Sequence, residues 1–195
     1  MFLKLAGRPC LVAGAGSIAE SKIESLIEAD GKVRVVAPKA TSQIRYWAEE
    51  KRIEWMARDW QQSDLDEMFL VIAATSSTEV HERIFDEATR RGVLCNIVDV
   101  PGLCHFYYPA VVQRGALQIA ISTAGLSPAL AQRLRKELEH QFGAEYEAWL
   151  EELGKERDKL FSVTLNPEER KRLLHDLVSA EAFQAFLRSR KKTKK

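Results

Sequence analysis

Cys10-Leu11-Val12-Ala13-Gly14-Ala15-Gly16-Ser17-Ile18-Ala19 is the stretch whose reading decides the fold. An apolar run enters Gly14-Ala15-Gly16, and Ile18, Ile23, Leu26 and Ile27 follow at roughly helical spacing. The pattern predicts a buried strand, a tight glycine turn and a helix that opens directly from the turn. The turn reads G-x-G-x-x-A, a dinucleotide fingerprint with alanine at its third small position. Gly14 permits the sharp turn, Gly16 lets the backbone approach a pyrophosphate, and Ala19 lets the helix lie close on the sheet. The helix start offers unpaired N–H groups and a partial positive charge to phosphates. The competing reading is a plain tight turn between a strand and a helix.

Outward from this turn the chain alternates. Val33 to Ala37 reads as a second strand, ended by Pro38. Many NAD-binding domains place Asp or Glu there for the ribose hydroxyls, but here the positions are Ala37, Pro38 and Lys39. Lys39 can favour a 2′-phosphate, or backbone N–H groups can hold the ribose, so NAD and NADP both stay open at this point. Ile53 to Met56 and Phe69 to Ala74 read as further strands, the second uninterruptedly apolar as suits a parallel strand covered on both faces. Thr75-Ser76-Ser77 follows at a carboxyl end, the side on which open α/β sheets bind ligands, which makes Thr75 a candidate; helix capping explains the same hydroxyls. Val80, Ile84 and Ala88 mark a helix, Gly92 ends it, and Val93 to Val98 is a fifth strand. The expected fold is a doubly wound, Rossmann-like parallel sheet. Asp99, after the fifth strand, is placed for acid–base work at a nucleotide crevice. Turn formation before Pro101-Gly102 is its bland alternative.

From residue 103 the pattern changes. Leu103 to Val112 is apolar and aromatic, Leu117 to Thr123 alternates as a half-buried strand, and Ser127-Pro128 opens a helix to about Gln141. Residues 144 to 190 are helical in character, with Asn166-Pro167-Glu168-Glu169 capping a new helix. The expected domains are 1–112 for nucleotide binding, 113–143 for dimerisation and the substrate cleft, and 144–195 as a C-terminal helical domain with a basic tail. A net charge of +1 gives no reason to expect nucleic acid as a partner, and the basic run from Arg188 to Lys195 reads as a solvated, disordered end. No signal peptide or membrane span is expected, and Cys10, Cys95 and Cys104 read as reduced, buried thiols of a cytoplasmic protein. No spacing suggests a resident metal site.

These residues resemble the precorrin-2 dehydrogenase module of the siroheme synthase family. Leu11 to Ala19 with Val35-Val36-Ala37-Pro38 is one match, and Cys95-Asn96-Ile97-Val98-Asp99 is similar to the family's C-N-V-V-D. The most specific match is Phe106-Tyr107-Tyr108-Pro109-Ala110 through Arg114, leading to Ile119-Ala120-Ile121-Ser122-Thr123-Ala124-Gly125-Leu126-Ser127-Pro128 and on to Arg135. The resemblance implies NAD-dependent oxidation of precorrin-2 to sirohydrochlorin by a homodimer, and in some members insertion of ferrous iron to give siroheme. It implies NAD contacts at Gly14, Gly16, Ser17, Ile18, Pro38 and Lys39, a catalytic role for Asp99, and a substrate hydroxyl at Thr123 beside Ser122. The chain departs from the pattern where Ser21 precedes Lys22 in place of Arg-Lys, and at Ala29-Asp30-Gly31 before the second strand. No methyltransferase-like domain is expected in this chain.

The chemistry agrees. A tetrapyrrole rich in carboxylates calls for Arg or Lys partners, and Arg114, Arg133 and Arg135 flank the proposed cleft segment. A base must take the proton that accompanies hydride loss, which Asp99 can do. Dehydrogenase-only and bifunctional members share the recognisable residues, so chelation stays open. A non-catalytic nucleotide-sensing module would also show the glycine turn, yet it gives no reason for Asp99 and the block from Ser122 to Arg135.

Overall fold

The computed structural model describes residues 2–163 and 166–193, with side chains through Arg190. The chain falls into two compact units, Met1–Tyr108 and Pro109–Lys195, each described by itself.

In the first unit, five parallel strands stand in the order β3-β2-β1-β4-β5. They are β1 (Pro9–Ala13), β2 (Lys32–Val36), β3 (Glu54–Met56), β4 (Leu70–Ala73) and β5 (Leu94–Ile97), with helices α1 (Ser17–Glu28), α2 (Ser42–Glu49) and α3 (Thr78–Arg91). Strand geometry sends alternate side chains to opposite faces. Cys10 and Val12 of β1 therefore join Ile72 and Val35 in one apolar layer with Ala19, Ile23 and Leu26 of α1 and Ile44 and Trp47 of α2. Leu11 and Ala13 join Val71, Ala73, Cys95 and Ile97 in the other, with Ile84 and Ala88 of α3. Double coverage is why β1 and β4 carry no polar residue. Truncating Leu11 or Ile72, both without exposed surface, would cost about 2–5 kcal/mol. The chain order steps from β1 out to β3 and then back across to β4, so the sheet has its topological switch between β1 and β4, where such sheets bind ligands.

The Ala29-Asp30-Gly31 departure has a clear geometry. Asp30 adopts the left-handed conformation (φ 56°) that glycine usually supplies at a helix end. The Asp30 and Gly31 amides close onto Ile27 O and Leu26 O at 3.0 and 2.9 Å. Gly31 must stay small, since a Cβ there would lie 3.0 Å from Leu26 O and 3.4 Å from Cys10 Sγ.

The second unit opens with an antiparallel hairpin, β6 (Ala110–Arg114) and β7 (Leu117–Ile121), turned at Gly115 (φ 54°). Four helices follow: α4 (Pro128–Gln141), α5 (Glu145–Ser162), α6 (Pro167–Leu177) and α7 (Ala180–Thr193). Ser127 caps α4 and Asn166 caps α6, as the Ser-Pro and Asn-Pro pairs predict. An aromatic cluster of Phe142, Tyr146, Trp149, Phe183 and Phe186 ties α5 to α7. One expectation is corrected for the described part of the basic run: from Arg188 to Thr193 it is not a disordered end but the last turns of α7. Arg and Lys favour a helix C-terminus because its dipole is negative there. Lys194 and Lys195, and the side chains of Lys191 and Lys192, lie outside the described residues.

Candidate functional site

The two glycines of the first turn do different work. Gly14 sits at φ 106°, and a Cβ there would meet Ala74 O at 2.3 Å. Backbone bonds hold the turn from both sides, Gly14 N–H to Val36 O at 2.9 Å and Ala74 N–H to Ala13 O at 2.8 Å. Gly14 is therefore a packing requirement of the sheet's carboxyl edge. Gly16 has ordinary extended backbone (φ −87°, ψ −175°), and a Cβ built on it would face open space. Sterics inside the chain do not demand this glycine, and its missing side chain leaves the backbone open to close approach by a ligand.

The start of α1 completes the argument. Thr41, Ser77, Ser127 and Asn166 cap α2, α3, α4 and α6 with side-chain oxygens, but Gly16 offers α1 no such cap. The first N–H groups of α1 are left for an external anion. Ser17 is exposed, and Ile18 keeps 56% of its surface exposed beside them. An apolar side chain held in solvent at that point suits an aromatic or ribose face. These residues fit a dinucleotide.

The other candidates gather at the same edge. Pro38 and Lys39 are exposed just past β2, on a loop pinned by the Thr41 N–H to Ala15 O bond of 3.1 Å. The Trp55 indole donates to Ala37 O at 3.0 Å, so that carbonyl is already satisfied. Thr75, half-buried past β4, accepts from Ser77 N–H at 3.4 Å, and Ser77 caps α3; the hydroxyls after β4 do have a capping role.

Asp99 lies two residues beyond β5, exposed, with φ 62°. Left-handed backbone costs a non-glycine residue roughly 1 kcal/mol or more, least for Asp and Asn. The surroundings impose it. Val98 N–H bonds Ala73 O at 2.9 Å, and Val100 N–H bonds Ile97 O at 3.3 Å. The chain then returns along the edge of β5. Asn96, buried in the strand, donates to Phe106 O at 2.8 Å, and the Cys104 thiol is held by Ile97 O and Val100 O. His105 Nδ1 accepts from Cys95 N–H at 3.2 Å, which leaves Nε2–H to donate to Thr89 Oγ1 at 3.1 Å. Both ring nitrogens of His105 are thus engaged in holding the edge. Burial pushes the Cys10 thiol up to about 11 and the Cys95 thiol up to about 12, so neither is a ready nucleophile.

Sequence reading missed three participants. Asn96 was visible in principle as a polar residue inside an apolar strand. Lys22 and Tyr108 were not. The Lys22 ammonium lies 4.1 Å from the centroid of the Tyr108 ring, and the Tyr108 hydroxyl interacts with the Ser25 side chain one turn along α1. Burial of that hydroxyl pushes it up to about 12, although 39% of the residue's surface stays exposed. Burial lowers the Lys22 pKa, against the opposing pull of the Asp99 charge.

The remaining candidates belong to the second unit. Arg114 donates from Nε to Phe142 O at 2.8 Å, from Nη2 to Glu139 O at 3.1 Å and from Nη1 to Gln113 O at 2.8 Å. It closes the carbonyl end of α4. Ser122 accepts from Ala124 N–H and Thr123 from Ser127 N–H, both at 3.1 Å, shaping a loop with left-handed Ala124 (φ 50°) and Gly125 (φ 82°). Leu126, 91% exposed, is its tip. Arg114 pairs with Leu117 at the hairpin's turn, while Ser122 and Thr123 follow Ile121 at its open end. At about 3.4 Å per residue the hairpin holds Arg114 roughly 14 Å from that open end. Arg133 pairs with Glu137, and Arg135 with Glu139, along α4. Among the described residues no cluster of three or more His, Cys, Asp or Glu side chains could hold a metal, and no helix is long and apolar enough to cross a membrane.

Residues 1–110 match the family described as "Putative NAD(P)-binding", and residues 114–141 match the family described as "Sirohaem biosynthesis protein central". Siroheme synthase 1 of Yersinia enterocolitica is 43% identical over 139 residues, 71% of this chain and 29% of that protein. A siroheme synthase of Mannheimia succiniciproducens is 33% identical over 190 residues, 97% of this chain and 40% of that protein. The chain thus spans well under half the length of these curated relatives. Among solved structures, SirC, a precorrin-2 dehydrogenase, superposes with a TM-score of 0.82 at 25% identity over 98% of both chains.

Proposed function

The chain belongs to the NAD(P)-binding family matched over residues 1–110, and from that premise we propose that it is an NAD-dependent precorrin-2 dehydrogenase, producing sirohydrochlorin for siroheme biosynthesis. The observation that carries this reading is the likeness to a precorrin-2 dehydrogenase over 98% of both chains. That likeness extends far past residue 108, over chain that binding a dinucleotide does not by itself require.

In this reading the turn at Gly14 and Gly16, with Ser17 and Ile18, holds the pyrophosphate, and Pro38, Lys39 and Thr75 border the rest of the dinucleotide. When bound, NAD supplies the hydride acceptor. The chain's own contribution is the proton: Asp99, exposed at the carboxyl edge, takes it as the hydride leaves. Its imposed backbone fixes where the carboxylate stands before substrate arrives. Ser122, Thr123 and Arg114 are assigned to the substrate side, where the hydroxyls keep a free proton to donate and the guanidinium keeps two N–H groups beyond its three carbonyl bonds. The proposal extends to a cytoplasmic homodimer and to the three-part division 1–112, 113–143 and 144–195. Ferrous iron enters only as a second substrate: in a bifunctional enzyme the same carboxylate collects pyrrole protons as the metal is inserted.

Incubation with precorrin-2 and NAD, followed by absorbance, tests the reading. Reduced cofactor and sirohydrochlorin should appear together, and later addition of ferrous or cobaltous ion reports chelation. NAD binding without turnover would instead make the chain a nucleotide-sensing module.

A further inference from the structure

Lys22 is a half-buried cation on α1, and no reading of the sequence gives it a role. It stands on the second turn of α1, and the chain builds a seat for it. Ser25 Oγ donates to the Lys22 carbonyl at 2.8 Å, and the same side chain interacts with the Tyr108 hydroxyl across the helix. The Tyr108 ring then lies under the ammonium at 4.1 Å, a cation–π contact that holds the charge from one side without satisfying any of its three N–H donors.

The opposite charge acting on Lys22 is Asp99. The two interact through space, yet Lys22 takes part in no ion pair among the described residues. A partly desolvated ammonium with open donors is costly unless an anion meets it. Burial lowers its pKa, which is the mark of that cost.

Resting on the dehydrogenase reading, we propose that Lys22 is a specificity-determining residue that receives a carboxylate of the tetrapyrrole and so sets the ring beside Asp99. Cation and carboxylate then divide the labour: Lys22 binds a side-chain anion of the substrate, and Asp99 remains unneutralised to take the ring's proton. A dinucleotide phosphate is the other anion to consider, but its place is the uncapped start of α1 at Gly16 and Ser17, more than a helical turn before Lys22. Tyr108 positions the ammonium and touches no reacting atom.

The test uses Lys22→Gln and Lys22→Arg in the full chain, with three readouts: fluorescence titration with sirohydrochlorin in the absence of NAD, calorimetric titration with NAD, and KM against kcat for precorrin-2. Lys22→Gln should weaken sirohydrochlorin binding and raise KM about tenfold or more, which is ~1.4 kcal/mol. NAD affinity should stay within about twofold, and Lys22→Arg should hold both tetrapyrrole constants within about threefold of wild type, because it keeps the charge. Unchanged tetrapyrrole binding in Lys22→Gln overturns the proposal, as does an equal loss of NAD affinity. Should wild type bind sirohydrochlorin but fail to oxidise precorrin-2, the dehydrogenase reading falls while the Lys22 titration still decides its own question. If wild type binds no tetrapyrrole, both fall together.

Discussion

Two glycines two residues apart separate folding from binding. Gly14→Ala forces a Cβ to within 2.3 Å of Ala74 O at a φ of 106°, so strand β1 and the exit of β4 must move apart. Strain and overpacking together put the cost on the order of 2–4 kcal/mol, or a fall of roughly 5–15 °C in Tm. The Cβ of Gly16→Asp meets nothing within 4 Å and Asp is a good N-cap for α1, so its Tm should not fall below wild type, but its carboxylate would stand where a pyrophosphate lies, and calorimetric titration with NAD should show no binding. Unchanged NAD affinity in Gly16→Asp would detach the fingerprint from the function. Asp99 yields a third contrast. Asn adopts φ near 62° at least as readily as Asp does, so Asp99→Asn keeps the loop and removes only the proton acceptor. Oxidation of precorrin-2 should fall about 10²- to 10⁴-fold with NAD affinity nearly normal. Activity within a few-fold of wild type would make Asp99 a turn residue, and the base would then have to be sought elsewhere than His105, whose ring nitrogens are both engaged.

At the scale of elements, α3 carries a test by pH. Glu87 is buried near the helix's end, and hydrogen bonds from Arg90 and then Arg91 hold its carboxyl down to about 2, from an ordinary value of 4.5. A depressed carboxyl stabilises the fold above its unfolded pKa, and that stabilisation is lost as pH falls through the folded one. Denaturant melts of wild type and Glu87→Gln should therefore differ by a constant amount near neutrality, with the gap closing between pH 4.5 and about 2. A gap that does not move with pH would show that the arginines contribute packing and no charge pairing. The five strands and most helices were legible because each obeys one period: β4 is apolar throughout, and α4 and α6 begin at Ser-Pro and Asn-Pro. The hairpin partner β6 was not read, since Pro109 interrupts its approach and the turn at Gly115 carries no Asn-Gly or Asp-Gly signal. Lys22 and Tyr108 escaped for a different reason. They are 86 positions apart in sequence, and only the return of the chain past β5 brings them together.

For the molecule as a whole, assembly is the open quantity, and the second unit supplies the argument. Its β6–β7 hairpin is a sheet of two strands, each with one edge unpaired by any strand of the described residues. A two-stranded hairpin is marginal unless something packs on it, and α4 and α5 cover it only in part: Leu117, Ile119 and Ile121 stay half-exposed. Close in sequence, Leu126 keeps 91% and Leu130 40% of their surface in solvent. Apolar surface grouped in this way marks an interface more often than a free face, and a second copy of the same hairpin is the partner that needs no further protein, related by a two-fold axis. Sedimentation equilibrium at micromolar concentration should return twice the 22.1 kDa chain mass. Leu126→Glu, at a tip that bears no internal packing, should shift the equilibrium toward monomer while leaving circular dichroism unchanged. A wild-type chain that sediments as a monomer would count against the shared interface, and the division that reserves residues 113–143 for dimerisation would go with it.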